Sequence, residues 1–380
     1  MATEYRINMK RYNGTDYDIM YPKTLTEQVI NGQRQIIVDS ITIGTSWTGS
    51  GPYTQTVTVD NADANSKVDI QADATIIQKL IDAGTTALYI VNNDGVFSAV
   101  ALGAAPTEAL TIQCTITKTA APPPPVLNSV LNENSWRAIK WASENNVGQN
   151  YWAVGDTKKI VLNGKVSDGL TLDNFETYVY IIGFNHNEAL EGKGITFQGF
   201  KTAQTGGVSV ALVDSGYMSS KTSGQWFNMF NSKTNTGGWQ SSLMRTVTMP
   251  LIKAAFPSEL QAVIKTSTIY TDSKGASAGS VKANVTATQD DVYLLSECEI
   301  ESSYTHSNSY EKNKQQRYAY YANGNSTIKY SHNSTGTACY YSTRSDAVGT
   351  SDQFAFVYPN GDTNVMPGSV CGGVAPAFRV

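Results

Sequence analysis

The sequence is poor in charge, and this excludes one large class of partner. Charged residues make up 16% of the 380 residues, against roughly 25% in an average soluble domain. The net charge is −4, whereas a nucleic-acid-binding protein needs a basic surface that displaces counterions from phosphates. We therefore expect no nucleic-acid partner.

Cysteine and histidine are also scarce, and their spacing predicts no metal site. The four cysteines include no CxxC pair, and the three histidines match no HExxH motif. Zinc ribbons and thioredoxin-type sites need such local pairs. We therefore expect no metal ligands among these side chains, no catalytic metal and no cofactor. A structural ion held by backbone carbonyls in the loops of the large domain is an open alternative, because a sequence does not reveal such ligands.

Long apolar runs are absent too. The N-terminus has no apolar segment after its charges, and no run of about 18 apolar residues occurs. The sequence thus predicts neither a Sec signal nor membrane insertion. Release from a cell would then require another route, such as assembly in a cytoplasm followed by lysis.

Proline marks the clearest boundary along the chain. Pro122 to Pro125 are consecutive, and such a run removes amide donors and favours a stiff extended rod. Residues 120–128 are therefore predicted to be a linker. Residues 1–35 are polar, carry the turn signal Asn13-Gly14 and are predicted to be an attachment and oligomerisation segment without a compact core.

Residues 36–119 are predicted to form a small α+β domain, a sheet with one helix. Apolar residues from Ile76 to Ile81 recur at helical spacing, with Asp73 placed to cap the helix and Gly84 placed to end it. Alternating segments on both sides of Asn93-Asp94-Gly95 predict a hairpin.

Residues 129–380 are predicted to form a large unit with short helices and long loops on a modest sheet. Ser258 and Gln261 have capping-box spacing. Helices are predicted over residues 135–145, 251–256, 258–265 and 310–321. The chain as a whole is predicted to be a multidomain α+β protein.

Few residues in the sequence offer catalytic chemistry. Neither a GxSxG elbow nor a phosphate-binding loop occurs, and no catalytic residue is predicted. Glu297, Glu299 and Glu301 alternate along a predicted strand and could place carboxylates on one face, as a glycosidase requires. The alternative is a solvated strand edge.

Tyrosine is concentrated in one region. Eight tyrosines lie between Tyr304 and Tyr341. Tyrosine supplies a large rigid contact area and a hydroxyl at low entropic cost, which favours a binding surface. Each of these side chains could instead pack in the loops of the domain itself.

Several segments resemble phage tail proteins. INMKRYNGTDYDIMYPKTLTEQV, residues 7–29, resembles a segment near the start of many tail-fibre and baseplate proteins of phages that infect Gram-positive bacteria. Residues 47–117 resemble a small domain common in phage tail proteins. Five later segments resemble an uncharacterised prophage domain that belongs with the C-type-lectin-like variable proteins of diversity-generating retroelements: NYWAVGDTKKIVLNG (150–164), IIGFNHNE (181–188), ITFQGFKTA (195–203), SYEKNKQQRYAYYANGNS (309–326) and GGVAPAFRV (372–380).

The resemblance implies a tail fibre or receptor-binding protein of a virion, assembled in the host cytoplasm. Its N-terminus would join phage tail or baseplate proteins, and a C-type-lectin-like domain over residues 129–380 would bind a protein or glycan receptor on the bacterial surface. A homotrimer is the implied assembly. The alternatives are a tail-associated glycan depolymerase that uses Glu297, Glu299 and Glu301, and a structural tail or baseplate protein.

The C-terminal stretch departs from the pattern of these relatives. They read AYWWLRSP before a variable stretch, whereas residues 339–346 keep only Tyr340, Arg344 and Ser345 of that block. The Glu-Pro-Asn and Trp-Asn-Asp triplets of calcium-dependent lectins are absent. The implied fold therefore does not by itself imply a sugar ligand.

The receptor site is predicted on residues 340–371. Phe354, Phe356 and Tyr358 alternate and would share one face of a strand, with the smaller and drier face of Ala355 and Val357 as the core side. Residues 372–380 are predicted to close the domain, with Val374 and Phe378 buried. The predicted receptor-binding residues are Tyr340, Tyr341, Thr343, Asp346, Val348, Asp352, Gln353, Phe356, Tyr358, Asp362, Asn364, Val365 and Met366.

Overall fold

A computed structural model describes residues 9–12, 17–20, 35–118, 124–276, 278–301 and 304–380. The chain is a mixed α+β protein with several sheets, and it divides into two compact units, residues 1–124 and 125–380. The division falls within the predicted linker, of which residues 120–123 lie outside the described residues. No described helix is long and apolar enough to cross a membrane.

The predicted attachment segment is described only in part. Strands β1 (Met9–Tyr12) and β2 (Tyr17–Met20) pair antiparallel, with Tyr12 opposite Tyr17. The predicted turn at Asn13-Gly14 and the rest of this segment lie outside the described residues.

The small unit contains two three-stranded antiparallel sheets and one helix. The first sheet has the order β3-β8-β5 and the second has the order β4-β7-β6. Its elements are β3 (Gln35–Ile43), β4 (Tyr53–Val57), β5 (Ser66–Gln71), α1 (Ala74–Ala83), β6 (Thr85–Asn93), β7 (Val96–Gly103) and β8 (Leu110–Lys118).

The core of the small unit lies between its two sheets. Ile41 and Ile116 of the first sheet pack with Val57 and Phe97 of the second, and α1 contributes Ile76. Such cross-sheet burial of alternating apolar residues is what holds a two-layer unit together.

The local signals predicted for this unit are confirmed. The Asp73 carboxylate accepts the Ile76 N–H at 2.9 Å and caps α1. Gly84 ends the helix in the left-handed region with φ +76°. Asp94 and Gly95 both have positive φ and close the β6–β7 hairpin.

The C-terminal unit is built on a five-stranded antiparallel sheet of order β15-β21-β11-β10-β9. Its strands are β9 (Thr157–Ser167), β10 (Leu170–Phe184), β11 (Ile195–Lys201), β12 (Val210–Ala211), β13 (Ser267–Asp272), β14 (Val285–Asp290), β15 (Val292–Tyr293), β16 (Lys329–Ser331), β17 (Ser334–Cys339), β18 (Tyr341–Asp346), β19 (Gln353–Val357), β20 (Thr363–Pro367) and β21 (Ala377–Arg379). Its helices are α2 (Trp136–Glu144), α3 (Glu188–Glu191), α4 (Gly238–Ser241), α5 (Met249–Ala255), α6 (Ser258–Gln261), α7 (Glu297–Ile300) and α8 (Ala319–Ala322).

The C-terminal residues lie inside this sheet. Strand β21 pairs with both β11 and β15, and Val374 and Phe378 are fully buried, as predicted. Phe378 stacks on Phe197 at 5.5 Å, and Trp136 of α2 meets both rings edge-on. Residues 372–380 therefore serve the fold.

Two of the predicted helices need correction. The helix predicted over 258–265 ends at Gln261, and the predicted capping box is absent because Pro257, not Ser258, is the N-cap residue. The Gln261 amide donates instead to the Phe256 carbonyl at 2.7 Å. The helix predicted over 310–321 is instead a 3-10 turn at Glu311–Asn313 and the short α8. The helices α2 and α5 are confirmed, with α5 shifted by two residues at its start.

Candidate functional site

A three-stranded sheet of order β18-β19-β20 carries the predicted receptor segment, and a row of tyrosines borders it. The rings of Tyr340 and Tyr358 meet edge-on at 4.6 Å. The Tyr217 hydroxyl accepts the Tyr340 N–H at 2.9 Å. All three side chains are half-buried, and we call these three residues the tyrosine strip.

Tyr217 belongs to a long loop that the fold anchors firmly. The buried Asp214 carboxylate accepts the N–H groups of Gly216 at 2.8 Å and Phe227 at 2.9 Å. The loop also pairs with the C-terminal segment, because Met218 donates its N–H to the Cys371 carbonyl at 2.8 Å. Long ordered loops in compact domains are commonly functional.

Tyr340 lies between two buried residues at the junction of β17 and β18. Its carbonyl accepts the Gly373 N–H at 2.7 Å. A Cβ atom at Gly373 would lie 2.9 Å from that same oxygen, so only glycine permits this approach. Residues 372–380, which we call the closing segment, therefore fix the backbone that presents Tyr340.

Tyr358 follows β19 at a tight turn. Gly361 has φ +93°, and the Asp362 carbonyl accepts the Tyr358 N–H at 2.8 Å. The Tyr358 hydroxyl reaches across and donates to the Val365 carbonyl of edge strand β20 at 3.1 Å. Asn364 also covers this edge, since its side-chain oxygen accepts the Val365 N–H at 2.9 Å.

The hydroxyls of Tyr217 and Tyr358 are hydrogen-bonding groups, not charges, at neutral pH. Burial raises the pKa of Tyr217 to about 12. Burial also raises the pKa of Tyr358, and neighbouring Tyr340 adds to this effect. The Tyr340 hydroxyl has no hydrogen-bond partner in the part of the chain that the structure describes, and it is therefore available to a ligand.

One exposed carboxylate lies at the Tyr358 end of the strip, because Asp362 accepts the Tyr358 N–H through its backbone carbonyl. Burial raises the pKa of the half-buried Glu301, Arg317 opposes that shift, and the charges of Asp362 and Glu297 add to it. The site thus combines uncharged aromatic area with one acidic end.

A buried polar network supports β18 from beneath. Arg344 is fully enclosed and donates to the Leu294 carbonyl at 2.7 Å, to Glu299 at 2.6 Å and to Gln315 at 2.7 Å. Glu311 accepts the Ser345 hydroxyl at 2.8 Å. The buried Arg344–Glu299 pair holds one geometry, because either partner alone would be left uncompensated.

A fully buried lysine lies near the start of β18. Lys329 donates to the Tyr180 hydroxyl at 2.8 Å and to Ser209 at 2.9 Å. Its ammonium nitrogen lies 5.4 Å from the ring centre of Tyr341. Burial lowers the pKa of Lys329 to about 7.

Five of the thirteen predicted receptor-binding residues are buried and form no surface. Thr343 donates its hydroxyl to the Ala355 carbonyl at 2.7 Å, and the Tyr341 hydroxyl donates to the Thr327 carbonyl at 2.8 Å. Both faces of β19 are enclosed, so the expected division into an open and a core face was wrong. The five buried residues are Tyr341, Thr343, Asp346, Phe356 and Met366.

The other predicted residues separate into two places. Tyr340, Tyr358, Asp362, Asn364 and Val365 lie together at the tyrosine strip and along β20. In contrast, Val348, Asp352 and Gln353 lie near the start of β19, roughly 16 Å along the strand from Tyr358.

Sequence reasoning missed Tyr217. It stands 123 residues before Tyr340, and no local pattern joins two such distant residues. The nearby Asp214-Ser215-Gly216 turn signal could have indicated an anchored loop.

The glutamates considered for catalysis do not lie on a strand. Glu297 and Glu299 begin α7, with Ser296 and Glu299 forming a capping box. The Glu297 carboxylate accepts the N–H groups of Thr305 at 3.2 Å and Ser307 at 2.7 Å and the Thr363 hydroxyl at 2.9 Å. Both carboxylates are buried anchors of the fold.

A groove of about 720 Å³ runs beside the π-helical turn Met244–Thr248. Its charged side chains already pair, Arg245 with Asp290 at 2.7 Å and Lys253 with Asp291 at 2.6 Å. A ligand would have to break these pairs, so the groove is a weaker candidate than the tyrosine strip.

Comparison with known proteins adds one match. Residues 212–380 match a family model described as a domain of unknown function, DUF6273. No curated protein and no solved structure matches the chain. The matched region begins just before the Tyr217 loop and contains the whole tyrosine strip, the buried Arg344 network and the closing segment.

Proposed function

We propose that the protein is a phage tail receptor-binding protein that attaches a virion to a bacterial surface through a C-type-lectin-like C-terminal domain. The observation that carries the proposal is the tyrosine strip, because an uncharged, rigid, aromatic surface with a free hydroxyl is typical of binding surfaces. The resemblance of the N-terminal segment to tail-fibre proteins supports attachment to tail or baseplate proteins, in a homotrimer.

The strip is rigid in the way that a binding surface needs. Tyr217, Tyr340 and Tyr358 are each fixed by a hydrogen bond or a ring contact, and buried polar groups hold the strands below them. A preformed surface loses little entropy on binding. The depolymerase alternative has less support, since Glu297 and Glu299 are occupied by hydrogen bonds within the fold.

The test is adsorption to host cells by the full chain with Tyr340 and Tyr358 both replaced by alanine. We expect adsorption to weaken by more than about thirtyfold, as expected when aromatic hot spots worth about 2 kcal/mol or more are removed. Tyr340→Phe keeps the ring contact and removes only the free hydroxyl, so a loss of about fivefold is expected.

Tyr310→Ala is the matched control, because Tyr310 is 38% exposed and lies outside the strip. A strip variant that keeps its melting temperature and adsorbs normally would refute the proposed site. Release of reducing sugar from host cell wall by the wild-type protein would favour the depolymerase alternative instead.

A further inference from the structure

The Tyr358 end of the tyrosine strip places two nearly perpendicular rings beside a carboxylate. The ring planes of Tyr340 and Tyr358 meet at 74°, with their centres 4.6 Å apart. Tyr358 lies opposite Asp362 at the end of the β19–β20 hairpin, because the Asp362 carbonyl accepts the Tyr358 N–H at 2.8 Å. Opposite residues of a hairpin carry their side chains on the same face. The Asp362 carboxylate therefore lies on the face that carries the Tyr358 ring.

The negative charge of Asp362 is not balanced by a neighbour. The side chain is exposed, and it forms no ion pair with any lysine or arginine among the described residues. Its Oδ2 atom accepts the Asn360 side-chain amide at 2.7 Å. Its Oδ1 atom accepts no hydrogen bond from the part of the chain that the structure describes. One carboxylate oxygen is thus open to a ligand.

These groups together select one kind of ligand chemistry. A cation is attracted both by the negative face of an aromatic ring and by a carboxylate. A compact ammonium can contact the faces of two perpendicular rings while it donates an N–H to the open oxygen. A planar guanidinium instead stacks flat on one ring and binds both oxygens of a carboxylate, and Asn360 already occupies one of them. An anionic ligand would be repelled by Asp362.

We propose that the Tyr358 end of the strip binds a primary ammonium group of the receptor, with Tyr340 and Tyr358 against the cation and Asp362 as its hydrogen-bond acceptor. The proposal rests on the proposed receptor-binding function and adds the chemical class of the ligand. Lysine side chains of a surface protein and amino groups of a cell-wall polymer share this chemistry, and protease treatment of the cells separates these two sources.

The first test is binding of a small probe to the full chain, measured by saturation-transfer NMR. The probes are butylamine, which is protonated at neutral pH, and butanol, which has the same length and no charge. We expect the butylamine signal to exceed the butanol signal at least about fivefold. Asp362→Asn, and separately Tyr340→Ala combined with Tyr358→Ala, should lower the butylamine signal to the butanol level.

Asp173→Asn is the matched control for the probe experiment. Asp173 is also an exposed carboxylate of the C-terminal unit, and it likewise accepts a neighbouring side-chain amide, that of Asn174 at 3.2 Å. This variant should keep the wild-type butylamine signal. Equal signals from the two probes with the wild-type chain, or an equal loss in Asp173→Asn and Asp362→Asn, would overturn the proposal.

The second test is adsorption to host cells. Asp362→Asn should lower adsorption at least about fivefold, and acetylation of the amino groups on the cells should lower wild-type adsorption as much. Adsorption that survives protease but not acetylation assigns the ammonium group to a cell-wall polymer, and loss after both treatments assigns it to a surface protein.

The two proposals fail in different ways. If Tyr340→Ala combined with Tyr358→Ala abolishes adsorption while Asp362→Asn adsorbs normally, or if acetylated cells bind the wild type normally, the ammonium proposal is overturned and the receptor site stands. Normal adsorption by the double tyrosine variant would refute the receptor site and the ammonium proposal together.

Discussion

Arg344 lies among more carboxyl groups than its single positive charge can balance. Asp272, Glu299, Glu311 and Asp346 are all buried in the same region. Glu299 pairs directly with the guanidinium. The other three carboxyl groups have no positive charge of their own in this pair. Burial raises the pKa of Glu311 to about 7, although its hydrogen bonds and Arg344 oppose the shift. Burial and the charges of Asp272 and Glu311 likewise raise the pKa of Asp346.

This shift predicts that the contribution of Glu311 to the stability of the C-terminal unit is smaller at neutral than at mildly acidic pH. The folded state binds the Glu311 proton more tightly than the unfolded state does, because the pKa of Glu311 is about 7 in the folded state and 4.5 in the unfolded state. The contribution is therefore complete below about pH 4.5 and is lost as the pH rises to about 7. The contribution of Glu311 amounts to about 3 kcal/mol, because a difference of one in pKa between the folded and unfolded states corresponds to about 1.36 kcal/mol.

Glu311→Gln tests this expectation, because glutamine keeps the shape and can still bond the Asp272 N–H and Ser345. The free energy of unfolding is measured by urea denaturation at several pH values. The wild-type value minus the Glu311→Gln value should fall between pH 4.5 and 7, because the variant lacks the Glu311 contribution. Glu176→Gln, at a carboxylate 63% exposed, should keep the wild-type slope. Parallel curves for wild type and Glu311→Gln would contradict the assignment.

At the scale of elements, the sequence predicts a helix or hairpin well where the signal is local. Asp73 and Gly84 lie at the two ends of α1 and do there what their backbone and side-chain chemistry favours. Asp94 and Gly95 close the β6–β7 hairpin for the same reason. The residues at which these elements begin and end are set by local signals and not by distant contacts.

Prediction fails where buried polar contacts decide the structure. Glu311 and Gln315 are drawn into the Arg344 network, which leaves no continuous helix between residues 310 and 321. The Ser296-x-x-Glu299 spacing was a readable cap signal, but the alternation of three glutamates suggested a strand. The candidate site is only partly readable, because Tyr217 reaches Tyr340 through tertiary structure alone.

Helix α1 offers a clean test of a local signal. Asp73→Ala removes the acceptor of the Ile76 N–H and should lower the free energy of unfolding of the small unit by about 1 kcal/mol. Asp73→Asn retains an acceptor and should change it little. The measurement is urea denaturation followed by a probe in the small unit, and equal losses for the two variants would show that the cap does not contribute.

At the scale of the whole molecule, the buried apolar clusters of the described residues lie outside the N-terminal segment. The two buried apolar clusters draw on different residues, one from Ile41 to Ile116 and the other from Leu131 to Val380. Among the described residues, no buried apolar side chain of either cluster comes before Ile41. Strand β3 begins at Gln35, so a deletion can end just before it and remove no residue of the two three-stranded sheets of the small unit.

Deletion of residues 1–34 should therefore leave both units folded and abolish incorporation into virions, since the removed segment includes the one that resembles tail-fibre N-termini. Circular dichroism should show the wild-type melting profile, because no buried apolar residue of either cluster is lost. Purified particles made with the shortened chain should lack it by mass spectrometry, while the soluble protein should still adsorb to host cells through the tyrosine strip. The matched control is deletion of residues 1–8 alone, which leaves the paired strands β1 and β2 in place. It tests whether any shortening of the N-terminus has the same effect. Particles that contain the shortened chain at the wild-type level would show that attachment depends on another part of the protein.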